Sequence, residues 1–153
     1  MIEKEEHAYM KKFSKITKFF SSYGIPGILK EYIPLVNKKT HGLERQYYGS
    51  GILLRKTLYK NGIIHGIRNF YSETGSLQFV IPFANGKENG KAMCYYESGA
   101  LEREDPYING KEQGAEIWYF ESGMIDYIAV YKNGSIAGPC TDKYRKDGTR
   151  QAL

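Results

Sequence analysis

Cysteine, proline and tryptophan are scarce in this chain of 153 residues, with two Cys, five Pro and one Trp. Cys94 and Cys140 have no Cys or His pair near them at metal-ligand spacing, which excludes a disulfide framework and a zinc site. No run approaches the roughly 18 to 20 apolar residues that a membrane-spanning helix needs. The opening residues Met1-Ile2-Glu3-Lys4-Glu5-Glu6 are too acidic for a signal peptide, so the expectation is a soluble, cytoplasmic protein in a reducing compartment.

Glycine and tyrosine are abundant instead, at 17 and 14 residues, a mixture that suits short aromatic-faced strands joined by glycine turns better than helices. The length fits one domain, and 41% hydrophobic content is enough to fold it. The formal charge of +5 is unevenly placed. Residues 1–60 carry 12 Lys and Arg against 5 Asp and Glu, whereas residues 61–153 carry 10 against 12.

A period of 24 residues runs through the chain. Asn-Gly recurs at Asn61-Gly62, Asn85-Gly86, Asn109-Gly110 and Asn133-Gly134, with Asn37-Lys38 in the same phase one step earlier. Two further columns keep the step, Gly42, Gly66, Gly90, Gly114 and Gly138, and Gly27, Gly51, Gly75, Gly99 and Gly123. Between the glycines the residues alternate as in a strand, for example over Gly114-Ala115-Glu116-Ile117-Trp118-Tyr119-Phe120. Each unit therefore reads strand, turn, strand, turn. Asn-Gly supplies one tight reversal, and Glu73-Thr74-Gly75, Glu97-Ser98-Gly99 and Glu121-Ser122-Gly123 supply the other.

Counting alternate positions places Tyr47, Tyr71, Tyr95 and Tyr119, then Leu53, Leu77, Leu101 and Ile125, then Tyr59, Phe83, Tyr107 and Tyr131 on one continuous apolar face. No hairpin can bury such a face alone, so stacked hairpins are expected to cover one another. The predicted fold is all-β, an elongated antiparallel β-meander of tandem hairpins over residues 21–150, with a degenerate first unit and a late-turning last one. Ahead of it, Met10, Phe13, Ile16 and Phe20 follow helical spacing beside Lys4, Lys11, Lys12, Lys15 and Lys18. A short amphipathic cap over 1–20 is expected there.

Tyr107-Ile108-Asn109-Gly110-Lys111-Glu112-Gln113-Gly114 and Phe83-Ala84-Asn85-Gly86-Lys87-Glu88-Asn89-Gly90 resemble the unit of the MORN-repeat family, Tyr-x-Asn-Gly-Lys-x-x-Gly. The frame persists without the lysine at 59–66 and 131–138. With its Asn-Gly-Lys and Glu-Ser-Gly turns the chain looks like the bacterial variant described as antitoxin-like or immunity-like. That resemblance implies a protein partner, a cognate toxin. The eukaryotic members, which imply scaffolding and phosphoinositide contacts, carry more Trp-Gly pairs than this chain with its single Trp118.

The candidate chemistry is thin. His41 and His65 share a phase, but the column continues as Asn89, Gln113 and Ala137, a polar turn ladder rather than a metal site. Glu73, Glu97 and Glu121 also recur, at exposed tips where neighbouring copies would repel rather than divide into acid and base. No Ser-His-Asp set, phosphate loop or Cys-His dyad is present, so no catalytic residue, metal or cofactor is assigned and the chain is expected not to be an enzyme. Arg45-Gln46-Tyr47-Tyr48 and Lys143-Tyr144-Arg145-Lys146 mix bases with aromatics, yet tyrosines repeated at one phase belong to rung packing, which disfavours nucleic acid.

Recognition is expected where units differ: Phe70 and Trp118 in the column of Gln46 and Cys94, and Tyr48, Tyr96 and Phe120 in the column of Ser72. These five aromatics are the candidate protein-binding residues. The leading reading is a non-catalytic antitoxin or immunity protein; the alternative is a scaffold or membrane-surface module whose basic N-terminal helix meets anionic lipid.

Overall fold

The computed structural model describes residues 18–25, 28–138, 142–144 and 147–151. Over them the chain forms one antiparallel sheet. The strands β1 (Lys18–Ile25), β2 (Ile28–Val36), β3 (Lys39–Thr40) and β4 (Gly42–Tyr47) open it. The repeating body is β5 (Leu53–Lys60), β6 (Ile63–Tyr71), β7 (Leu77–Ala84), β8 (Lys87–Glu88), β9 (Gly90–Tyr95), β10 (Leu101–Ile108), β11 (Lys111–Glu112), β12 (Gly114–Tyr119), β13 (Ile125–Lys132) and β14 (Ser135–Ile136). The strands β15 (Asp142–Tyr144) and β16 (Arg150–Gln151) close it. Spatial order follows chain order, so each hairpin contacts only its neighbours, as a quasi-one-dimensional repeat array requires. The amphipathic cap expected over 1–20 lies outside the described residues as far as residue 17, and Lys18–Phe20 already belong to strand β1.

Turn chemistry sets the hairpins. Asn61 and Gly62 have φ of 54° and 86°, and the other three Asn-Gly pairs repeat these values closely. Positive φ at both central residues defines the turn whose twist matches that of the strands it joins. Asn37-Lys38 makes the same turn with φ of 51° and 63°, so a lysine there adopts a backbone that favours glycine. The alternate loops close on a main-chain pair: Tyr96 N donates to Ala100 O at 2.9 Å and Gly99 N donates to Tyr96 O at 2.9 Å.

Two irregularities recur in every full unit. After the Asn-Gly turn the ladder breaks beside a positive-φ glycine, and the preceding residue donates its N–H to the opposite strand: Asn89 N to Pro82 O at 2.9 Å, Gln113 N to Pro106 O at 2.8 Å. This bulge explains proline inside an interior strand, because Pro34, Pro82 and Pro106 all stand where regular pairing lapses. The second irregularity is one extra residue early in each long strand. Phe70 pairs with Phe79 and Tyr71 with Leu77, leaving Gln78 over; Leu54, Glu102 and Asp126 are the equivalents.

That extra residue divides the apolar face expected from simple alternation. Tyr71 and Leu77 remain together, but Phe83 pairs with Gly66 on the side of Phe70 and Phe79. Tyr59, Phe83, Tyr107 and Tyr131 therefore lie opposite Tyr47, Tyr71, Tyr95 and Tyr119, because an inserted residue reverses the parity of every position beyond it. The two sides are the Trp118 face and the Tyr119 face, after adjacent residues of β12 that lie on opposite sides.

No second layer covers either face among the described residues. Among the described residues only Leu43, Ala92 and Ala129 are buried hydrophobics. The best-covered positions run along the middle of the Trp118 face, where Thr57, Asp105 and Ala129 are 0%, 5% and 1% exposed. Arg68 Nε donates to Thr57 Oγ1 at 3.3 Å and Arg103 pairs with Asp105 at 2.9 Å, so contacts between side chains of one face take the place of a conventional core.

Candidate functional site

Across the Trp118 face, two columns differ from unit to unit. One reads Gln46, Phe70, Cys94 and Trp118, and its cross-strand partner reads Arg55, Phe79, Arg103 and Tyr127. The Arg103 guanidinium lies 4.6 Å from the centre of the Trp118 ring, and Tyr127 stacks on the same indole at 5.5 Å and 17°. One unit type recurs with weaker geometry, Arg55 lying 6.0 Å from Phe70. Phe79 meets Phe70 edge to face at 6.2 Å, and Arg68 sits 5.0 Å over Phe83.

Carboxylates surround this aromatic row. Arg103 Nε is 2.9 Å from Asp105 Oδ2 and its Nη1 is 3.9 Å from Glu116 Oε1. Burial drives the Asp105 carboxyl up to about 6; Arg103 opposes the shift, while Glu116 and Glu112 add to it. The Cys94 thiol donates to Glu102 Oε2 at 3.0 Å and is pushed up to about 12, first by burial and then by that hydrogen bond. A thiol so protonated is no nucleophile near neutral pH. Tyr107 is likewise raised to about 12, by burial and then by Glu112 and Asp105.

The five aromatics picked from sequence fall into two kinds of environment. Phe70 and Trp118 lie in the variable row just described. Tyr48 and Tyr96 stand at the loop edge, where their hydroxyls donate to Tyr71 O and Tyr119 O, each at 2.8 Å. They therefore tie each unit to the next. Phe120 holds the same position in the last full unit and closes its loop through its main chain.

The polar column at the other edge also docks unit on unit. Asn61 N approaches His41 Nδ1 at 3.3 Å, Asn109 N donates to Asn89 Oδ1 at 3.2 Å and Asn133 N donates to Gln113 Oε1 at 3.0 Å. Alongside each, the turn glycine donates to the preceding unit, as Gly110 N does to Glu88 O at 2.8 Å. His41 and His65 thus occupy turn-docking positions, and no group of three His, Cys, Asp or Glu among the described residues is placed to hold a metal ion. Of the tip carboxylates, Glu97 accepts from Thr74 and Ser72, and the Thr74 bond holds it below the usual carboxylate range.

Sequence reasoning missed the carboxylates of the Trp118 face. Glu88 and Glu112 pair with Phe83 and Tyr107, Glu116 with Ala129, and Asp105 with Ala92, all on that side. Alternation would have found them only after the extra residue at Glu102 and Asp126 had been recognised.

A family model described as MORN repeat variant matches residues 40–61, 64–85, 88–109 and 112–133, each stretch ending on or beside the asparagine of an Asn-Gly turn. No curated protein matches the chain. Four tandem matches over more than half its length show that the chain belongs to the MORN repeat variants, repeat modules that serve generally in binding or scaffolding.

Proposed function

We propose that this chain is a non-catalytic, protein-binding repeat module, an antitoxin or immunity protein that neutralises a cognate toxin by covering its active surface. The observation that carries the reading is the division of labour between positions. Positions at the two loop edges are spent on stacking, as with the Tyr48 and Tyr96 hydroxyls and the turn ladder, whether or not their residue type repeats. Residues that differ, Gln46, Phe70, Cys94 and Trp118 with their partners, gather on one face of the sheet. Half-buried aromatics and arginines of this kind are what protein interfaces use as anchors. The Cys94 thiol, in the variable column, is held protonated by burial and by its bond to Glu102, which accords with a role in binding.

The reading sets the protein in the cytoplasm beside its toxin, and no described helix is long and apolar enough to cross a membrane. Co-purification with the product of the adjacent gene, followed by rescue of cells expressing that product, tests it. Capture and rescue are expected; failure of both contradicts the proposal.

A further inference from the structure

Charge is sorted between the two faces in the third and fourth units. Over residues 85–131 the Trp118 face carries Glu88, Asp105, Glu112 and Glu116 at paired positions, with Glu102 and Asp126 at the extra-residue position and Arg103 the one cation among them. The Glu102 carboxylate reaches Cys94 and that of Glu112 reaches Tyr107, which places both on this side. On the Tyr119 face of the same units stand Lys87, Lys91 and Lys111, with Glu104 bridged to Lys91 at 2.8 Å. The earlier part of the Trp118 face is balanced, Arg55 and Arg68 offsetting Glu31 and Glu44.

A second observation comes from atoms without partners. Asp105 is 5% exposed, yet its Oδ1 has no hydrogen-bond donor, and the buried Trp118 Nε1 has no acceptor. An unpaired buried polar atom costs stability, so an acceptor and a donor left open in one patch mark a place where an outside group would be favourable. The indole of Trp118 already takes the Arg103 guanidinium at 4.6 Å, which shows that this row accommodates a planar cation.

We infer that the Trp118 face of the third and fourth units is the docking surface for a basic, arginine-rich segment of a protein partner, a conclusion that rests on the protein-binding reading above. Guanidinium groups supply donors for the carboxylates, while the main-chain carbonyls of such a segment supply the acceptor that the indole lacks. Phosphate-bearing ligands are repelled by the same carboxylates, so nucleic acid and anionic lipid are disfavoured on this face.

Trp118 is the single tryptophan, so its fluorescence reports the site directly. The full chain is titrated with a synthetic peptide alternating arginine and glycine, with its glutamate counterpart and with a single-stranded oligonucleotide. The arginine peptide is expected to change the emission, with an affinity that falls as salt rises. Combining Glu88→Gln, Glu102→Gln, Glu112→Gln and Asp126→Asn is expected to weaken it at least about tenfold, the scale of several rim ion pairs lost together. Lys87→Gln with Lys111→Gln, on the other face, is expected to leave the affinity unchanged or tighter. Unfolding curves of both variants establish that they are folded, and Glu112→Gln with Asp126→Asn serves if the fourfold variant is not. No response of Trp118, tighter binding of the glutamate peptide or oligonucleotide, or binding indifferent to the carboxamides overturns the proposal. A partner captured in cells but retained undiminished by the carboxamide variant overturns the face while the protein-binding reading stands.

Discussion

The hydroxyl of Tyr96 donates to the main-chain carbonyl of Tyr119 across 2.8 Å, one full repeat later in the chain. Tyr48 makes the same bond to Tyr71. These bonds join units rather than strands within a hairpin, so they contribute to the interface terms that hold a repeat array together. Tyr96→Phe keeps the ring and removes the bond, and is expected to cost about 0.5–1.5 kcal/mol. A lower urea midpoint at unchanged slope is the readout; an unshifted midpoint contradicts the role.

Gly66 separates backbone strain from steric fit. Its φ is +120°, and a Cβ placed there would come 2.7 Å from Leu58 Cδ2. Gly99 has φ of +87° with nothing within 4 Å of a Cβ. Gly99→Ala meets the backbone cost alone, whereas Gly66→Ala also overpacks against Leu58, so it is expected to be the more destabilising by about 1–3 kcal/mol. Equal losses in the two variants would show that the close approach is relieved freely.

At Lys38 the chain accepts a left-handed residue where the other turns use glycine, with φ of 63°. Lys38→Gly removes a strain of about 1–2 kcal/mol and gives back part of it through the freer unfolded chain. A net stabilisation of about 0.5–1 kcal/mol is expected in thermal or urea unfolding. Destabilisation would mean that the lysine side chain makes a contribution larger than its backbone cost.

Asp105 predicts the sign of a pH effect. Its carboxyl is raised to about 6 in the folded chain by burial, against roughly 4 in an unfolded one. Between those values the folded state holds a proton that the unfolded state has lost, so stability falls as pH rises from about 4 to 6 and is level beyond. Asp105→Asn carries no such charge and is expected to be more stable than the parent by about 1–3 kcal/mol at pH 7. The advantage should disappear near pH 4, and urea midpoints at the two pH values check it. A difference that does not change with pH contradicts the account.

Much of the fold was legible because the turns dictate it. Asn-Gly pairs at a fixed step announce reversals whose φ values only Asn and Gly adopt readily, and the observed strands end on them. The placement of Tyr59, Phe83, Tyr107 and Tyr131 was not legible from alternation, because the extra residues Leu54, Gln78, Glu102 and Asp126 share no residue type that marks an irregularity. Pro82 and Pro106 did carry a signal, since proline at one phase in successive interior strands demands a break in the ladder. For the candidate site, the variable column through Phe70 and Trp118 could be read as lying opposite Tyr71 and Tyr119. The roles of Tyr48 and Tyr96 could not, because a hydroxyl reaching a main-chain carbonyl one unit on is a matter of packing distance.

The central claim, that this repeat array recognises its partner through the Trp118 face, is tested most directly by charge reversal on the two faces in turn. Glu112→Lys with Asp126→Lys alters one, and Lys87→Glu with Lys111→Glu alters the other, with the cellular partner captured from the same lysate by each folded variant. The account predicts that the first pair abolishes capture and the second preserves it. Loss of capture with the second pair and retention with the first would contradict it.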